Sequence, residues 1–149
     1  MNNMPQDIKD ILAKYKTVAV IGLSRDPQKY SHIVAKYLQE HDYNIIPVNP
    51  TANEILERKS YKELLSIPRE LQRKIEIVDI FRPSEDVPPI VEQAIKLKER
   101  YDTPQVIWMQ LDIINEQAAT KAKAAGIIVI MNKCMMREHK KLFPATEPT

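Results

Sequence analysis

An apolar run from Val18 to Ile21 stops at Gly22, a polar loop follows, and then a helical pattern begins, all within Thr17 to Ser31, TVAVIGLSRDPQKYS. Strand, glycine turn, polar loop and helix make up the opening of a βα unit that presents a ligand-binding loop. Gly22 can take backbone angles that other residues resist and lets a ligand come close. Ser24 offers a hydroxyl, and Arg25 and Lys29 offer positive charge. The helix start adds N–H groups and the positive end of its dipole. Together these favour an anion, and a phosphate fits best.

The glycine count limits which cradle this can be. The chain has only Gly22 and Gly126. A dinucleotide fingerprint needs three glycines at this turn. A Walker A loop needs a second glycine followed by Lys and Ser or Thr. Both are missing, so the standard NAD and ATP cradles are excluded while phosphate contact stands.

The rest of the chain alternates strand and helix. Ile8, Ile11, Leu12 and Tyr15 have helical spacing, which predicts a leading helix over 5–15 with Pro5 in its first turn. Strands are predicted at Thr17–Ile21, Asn44–Val48, Ile75–Phe81, Gln105–Met109 and Ile127–Met131. The helix after the loop carries Ile33, Val34, Tyr37 and Leu38 and runs to about His41. Asp26 with Pro27, or Ser31, can cap it; Ser31 is preferred because it places Lys29 and Tyr30 on the loop rim. Residues 51–74 are less regular, with Tyr61 starting a short edge segment and Leu64, Leu65 and Ile67 packing beneath a turn. Pro88 and Pro89 open a helix on Ile90, Val91, Ala94, Ile95 and Leu97. Asn115 caps another, which Gly126 ends.

This alternation predicts an α/β fold with a parallel sheet and helices on both faces. The 149 residues form one domain over 17–142, with residues 1–16 as the leading-helix segment and a frayed tail at 143–149. A net charge of +2 gives no support for nucleic-acid binding. No run is long and apolar enough for a membrane, and no secretory signal is visible, so a cytoplasmic location is expected. Cys134 is alone and makes no internal disulfide.

In such sheets ligands bind beyond the carboxyl ends of the strands. The residues there are Gly22 to Arg25, Asn49-Pro50, Phe81-Arg82-Pro83, Met109-Gln110 and Asn132-Lys133-Cys134. The set has amides, arginines, a lysine and an aromatic, but no carboxylate pair and no histidine. Asp79 lies within its strand, and neither it nor Asp112 is an obvious general base. The set looks like a binding site rather than a catalytic one. Trp108 is expected in the core, His32 and His41 on a solvent side, and His139-Lys140-Lys141 on a solvated face.

The segments VAVIGLSRDPQKYS, IIPVNP, VDIFRPSEDVPPIVEQA, VIWMQLDIINEQAATKAKAAG and VIMNKC, in that order, resemble the stand-alone CoA-binding domain family. That family is similar to the N-terminal domain of the succinyl-CoA synthetase alpha subunit. The resemblance implies a Rossmann-like three-layer fold with about five parallel strands in the order 3-2-1-4-5, and coenzyme A (CoA) or an acyl-CoA as ligand. It implies that Gly22, Ser24, Arg25 and Lys29, with Tyr30 on the rim, hold phosphates of the nucleotide end. Val48 and Asn49 would lie beside the adenosine, and Phe81, Arg82 and Pro83 would wall the crevice. Met109 and Gln110 would line the pantetheine side, with Cys134 near the ligand thiol. Three positions depart from the family pattern. Ser31 and His32 follow the loop tyrosine where a small residue is common, Asp112 stands where glycine is frequent, and Asn132-Lys133 replaces an acidic and basic pair. The synthetase's phosphorylated histidine has no counterpart at His32, His41 or His139, so ligase activity is not implied.

The expected ligand is therefore a small nucleotide-bearing molecule bound without chemistry. The alternatives are an enzyme or redox partner using Cys134, or a sensor of another adenine nucleotide. Cys134 itself is read first as a buried small hydrophobe. A homodimer is expected on base rates alone.

Overall fold

The computed structural model describes residues 7–145. In chain order its elements are α1 (Ile8–Lys14), β1 (Thr17–Ile21), α2 (Tyr30–Glu40), β2 (Asn44–Val48), β3 (Glu54–Ile55), β4 (Arg58–Lys59), α3 (Arg69–Gln72), β5 (Ile77–Ile80), α4 (Val87–Tyr101), β6 (Val106–Met109), α5 (Glu116–Ala124), β7 (Ile128–Ile130) and α6 (Met135–Leu142). Five strands form one parallel sheet in the order β2-β1-β5-β6-β7. Tyr61 adds a parallel bridge to Val48 outside β2, with its N–H donating to the Pro47 carbonyl at 3.1 Å. With that bridge counted as an abbreviated third strand, the order reads 3-2-1-4-5 with one further strand at the far edge. This is the predicted Rossmann-like arrangement.

Alternation along each strand divides the core in two. Val18, Val20, Ile77, Val106 and Trp108 face the layer of α1, α2 and α6. Ala19, Ile21, Val78, Ile80, Ile107 and Met109 face the layer of α4, α5 and the 3-10 turn at Leu64–Ser66. Trp108 is fully buried and its indole N–H donates to the Lys133 carbonyl at 2.8 Å, so it is core as expected. None of the described helices is long and apolar enough to cross a membrane.

Several local details differ from the sequence reading. Helix α1 starts at Ile8 because the Asp7 carboxylate accepts from the Asp10 N–H; Pro5 lies outside the described residues. Helix α2 starts at Tyr30 with Lys29 as its cap position, so Ser31 sits in the first turn and does not cap it. The buried stripe of α2 is Ser31, Val34, Ala35 and Leu38, the i, i+3, i+4, i+7 set. That rotation leaves Ile33 44% exposed. His32 is buried, not solvated, because its Nδ1 meets the Ser24 carbonyl at 2.8 Å. His139 is buried as well: its Nδ1 pairs with the Tyr37 hydroxyl at 2.7 Å, and Phe143 stacks on its ring. Burial, His41 and Lys16 all push His139 below its ordinary pKa. Asn115 caps α5 as predicted, accepting from the Ala118 N–H at 3.0 Å, and Gly126 follows with φ +87°.

Candidate functional site

The carboxyl ends of β1, β2, β5 and β6 meet at one edge of the sheet. At the end of β1, Gly22 turns with φ +84°, and its N–H donates to the Val48 carbonyl at 2.9 Å. A Cβ at this position would stand 2.7 Å from the Phe81 carbonyl oxygen, so only glycine lets the β1 and β5 exits come together. The loop beyond is bound by its own polar groups. The Ser24 N–H donates to Ser31 Oγ at 2.9 Å, the Asp26 N–H to Ser24 Oγ at 3.0 Å, and the Gln28 N–H to Asp26 Oδ1 at 3.0 Å. Asn49 Nδ2 donates to the Leu23 carbonyl at 2.9 Å and fastens the β2 exit to the loop. Lys29 makes no side-chain cap at the start of α2, and of the first turn the His32 N–H donates to the Lys29 carbonyl at 3.1 Å.

Two cavities open along this edge. The first, about 480 Å³, is lined by Ile21, Gly22, Ser24, Val48, Asn49 and Arg82, joined by Lys62, Glu63, Asp86 and Gln93. The second, about 440 Å³, is lined by Tyr30, Phe81, Arg82, Pro83, Gln110 and Arg137, with Leu111, Asp112 and Ile113. Arg82 borders both. Its guanidinium is held by Asp86 at 2.9 Å, one turn on, and remains half exposed.

The structure thus gathers Gly22, Ser24, Val48, Asn49 and Arg82 at one cavity, and Tyr30, Phe81, Arg82, Pro83 and Gln110 at the next. Arg25 and Lys29 are exposed on the loop and belong to neither lining. The Met109 side chain is fully buried in the α4–α5 core. Cys134 is 2% exposed, and its sulfur accepts from the Tyr30 hydroxyl at 2.7 Å. Burial, then that contact, raises Tyr30 to about 12. The departures at Asp112 and Asn132 are linked to each other. Both residues have left-handed backbone, φ +65° and +58°, and the Asp112 N–H donates to Asn132 Oδ1 at 2.7 Å. A positive φ at Asp112 accounts for glycine being well suited there.

Sequence reasoning missed Lys62 and Arg137. Lys62 follows the Tyr61 bridge, at the edge segment that the sequence reading started at Tyr61 without assigning it to the site. Arg137 lies in the first turn of α6, beyond the last strand end, and carried no motif of its own.

A parallel sheet with a glycine turn after β1 and two cavities at its switch point places the chain in the Rossmann-like class. The chain belongs to the CoA binding domain family, whose match covers residues 16–140. It is 39% identical over 138 residues to the uncharacterized protein YneT of Bacillus subtilis, covering 93% of this chain and 96% of that one. It is 36% identical over 90 residues, 59% of this chain, to an ADP-forming acetate–CoA ligase of Archaeoglobus fulgidus, of which the match spans 13%. Among solved structures, a hypothetical protein from Pyrococcus horikoshii is 44% identical, with a TM-score of 0.82 over 91% of this chain and 89% of that one. A Thermus thermophilus protein is 31% identical, with a TM-score of 0.81 over 91% and 96%.

Proposed function

We propose that this chain binds CoA or an acyl-CoA and performs no bond-changing step of its own. The observation that carries the reading is the pair of cavities sharing Arg82, one polar and beside the glycine loop, the other walled by Phe81, Pro83, Leu111 and Ile113. CoA has the matching shape: a phosphate-rich nucleotide at one end and a long, weakly polar arm at the other. The nucleotide end lies at Gly22, Ser24, Val48 and Asn49. Arg25 and Lys29 reach its phosphates from the rim, where neither has an ion-pair partner among the described residues. The arm passes Phe81, Arg82 and Pro83 toward Gln110. The Met109 side chain stays in the core, so of the Met109–Gln110 pair only Gln110 meets the arm.

A non-catalytic role is supported by what borders the second cavity. The Cys134 thiol is buried under Tyr30, and no residue lining that cavity is a histidine. The likeness to the acetate–CoA ligase spans a small part of that protein, so its reaction is not carried over.

Calorimetric titration with CoA, acetyl-CoA, NAD and ATP tests the reading. CoA or acetyl-CoA should bind and NAD and ATP should not; the reverse order refutes the proposal. Arg25→Ala and Lys29→Ala should each weaken CoA binding about 3- to 10-fold, at the low end for charge-assisted contacts because both are exposed. Unchanged affinity in both variants removes them from the phosphate site.

A further inference from the structure

Strand β5 places an acid at the centre of the sheet. Asp79 has no exposed surface, and its register neighbours are Val20 and Trp108. Among the described residues no cation pairs with it. One carboxyl oxygen, Oδ1, accepts from Gln110 Nε2 at 2.6 Å. The other, Oδ2, has no partner, and neither has Oε1 of Gln110, a residue itself only 1% exposed.

Two unpartnered oxygens on two side chains already in contact are a pattern that one proton resolves. An acid proton on Oδ2 that donates to Oε1 closes a ring of two hydrogen bonds between the carboxyl and the amide. The alternative is an ionised carboxylate with a single bond in an apolar interior, which is strongly disfavoured. Burial holds the Asp79 carboxyl up at about 7, opposed only by the Gln110 amide, and no other charged group bears on it.

Gln110 also lines the second cavity. Its Nε2 carries two hydrogens. Asp79 takes one, and no acceptor among the described residues takes the other. We propose that Asp79 is a positioning residue that locks Gln110 in a closed acid–amide ring and so presents the second Gln110 amide hydrogen to the cavity, where it receives the carbonyl oxygen of an acyl-thioester. The inference rests on the CoA reading of this crevice and deepens it from CoA to acyl-CoA. Free CoA ends in a thiol, whereas an acyl-thioester adds a carbonyl acceptor next to the sulfur.

Two measurements test the two halves. Infrared difference spectra of ligand-free wild type against Asp79→Asn read the carbonyl stretch of a protonated, buried carboxyl. The band should be present at about pH 5 and fade toward about pH 9. Its absence at the lower pH overturns the ring. Calorimetry then compares acetyl-CoA with CoA. Wild type should favour acetyl-CoA by about 2- to 10-fold, the worth of one neutral hydrogen bond. The ratio should fall to about one in Gln110→Leu and Asp79→Leu. Asp79→Asn, whose amide can both accept from and donate to Gln110, should restore it. Equal affinities in wild type, or a preference that survives Gln110→Leu, overturn the thioester contact. If neither ligand binds, the CoA reading fails and the contact with it, and the infrared band still decides the ring. Should Asp79→Leu not fold, Gln110→Leu and Asp79→Asn decide alone.

Discussion

Replacing Gly22 by alanine tests whether this glycine lets the crevice form. Two penalties are distinct in origin. The first is conformational: φ is +84°, and an L side chain in the left-handed region costs about 1–2 kcal/mol. The second is steric. The new Cβ would stand 2.7 Å from the Phe81 carbonyl oxygen, 3.2 Å from its carbon and 3.0 Å from Arg82 Cδ. The carbonyl is backbone at the end of a buried strand and cannot swing aside, so relief requires the β5 exit to move, at about 1–3 kcal/mol. The sum is about 2–5 kcal/mol, a large part of a typical domain's total of about 5–15 kcal/mol. Gly126 supplies the control. Its φ is +87°, but an added Cβ would find its nearest neighbour at 3.8 Å, the flexible Lys98 Cε. Gly126→Ala therefore carries only the first penalty. Urea unfolding of both variants should show Gly22→Ala less stable than Gly126→Ala by about 1–3 kcal/mol, with similar denaturant slopes. The variants should also separate in CoA titration. Gly22 and Arg82 share the first cavity, whereas Gly126 precedes β7, at the opposite end of the parallel strands. Equal destabilisation by the two substitutions would refute the steric argument.

The buried acid should leave a signature in stability against pH. The Asp79 pKa is raised from 3.8 to about 7 on folding, so between those values the native protein keeps a proton that the unfolded chain has released. Its contribution is fully present below 3.8 and is lost as pH rises to about 7, amounting to about 4 kcal/mol. Chemical denaturation of wild type and Asp79→Asn across this range should show the difference narrowing or reversing toward low pH; parallel curves would mean that Asp79 is ionised when folded. At the entry to α5, Asn115 both caps the Ala118 N–H and donates to the Ser84 carbonyl at 3.0 Å. Asn115→Ala should lower stability by about 1–2 kcal/mol, measured as a shift in urea midpoint at unchanged slope.

The sheet was legible because its strands are apolar runs that end in turn residues. Thr17–Ile21 and Asn44–Val48 have the bounds predicted for them, and the other three strands lie inside theirs. The β3–β4 hairpin was not legible. Its strands are two residues each, too short for any alternation to show, and its turn places Leu56 and Glu57 at φ +54° and +63°. Such angles are usually announced by Asn or Gly, and here the announcement is missing. His32 and His139 were misplaced for a related reason, whereas His41 is exposed as expected. A polar residue on a helix is assigned to solvent by default, yet His32 closes the 22–31 loop through the Ser24 carbonyl and His139 joins α6 to α2 through Tyr37. Each partner is remote in sequence or lies in an irregular segment, so no local pattern marks it.

At the candidate site, the rule that ligands gather at strand ends located the right loops but did not say which side chain of each pair faces the crevice. The strand period holds that information. Trp108 and Gln110 differ by two positions and Met109 lies between them, so once Trp108 is placed on the α2 side, Met109 belongs to the opposite core and Gln110 turns back toward α2 and α6. The same parity on β5 puts Asp79 on the face of Ile77, in register with Trp108. The contact between Asp79 and Gln110 therefore follows from two strand registers and one period. In the sequence the two residues are 31 positions apart, and parallel pairing gives no hairpin to set their registers against each other. An acid inside an apolar strand is costly unless its charge is absent or answered. Asp79 was set aside because it lies within its strand and not at a strand end; burial is what makes it informative, since a lone carboxyl with no cation beside it implies a proton and a partner able to accept it.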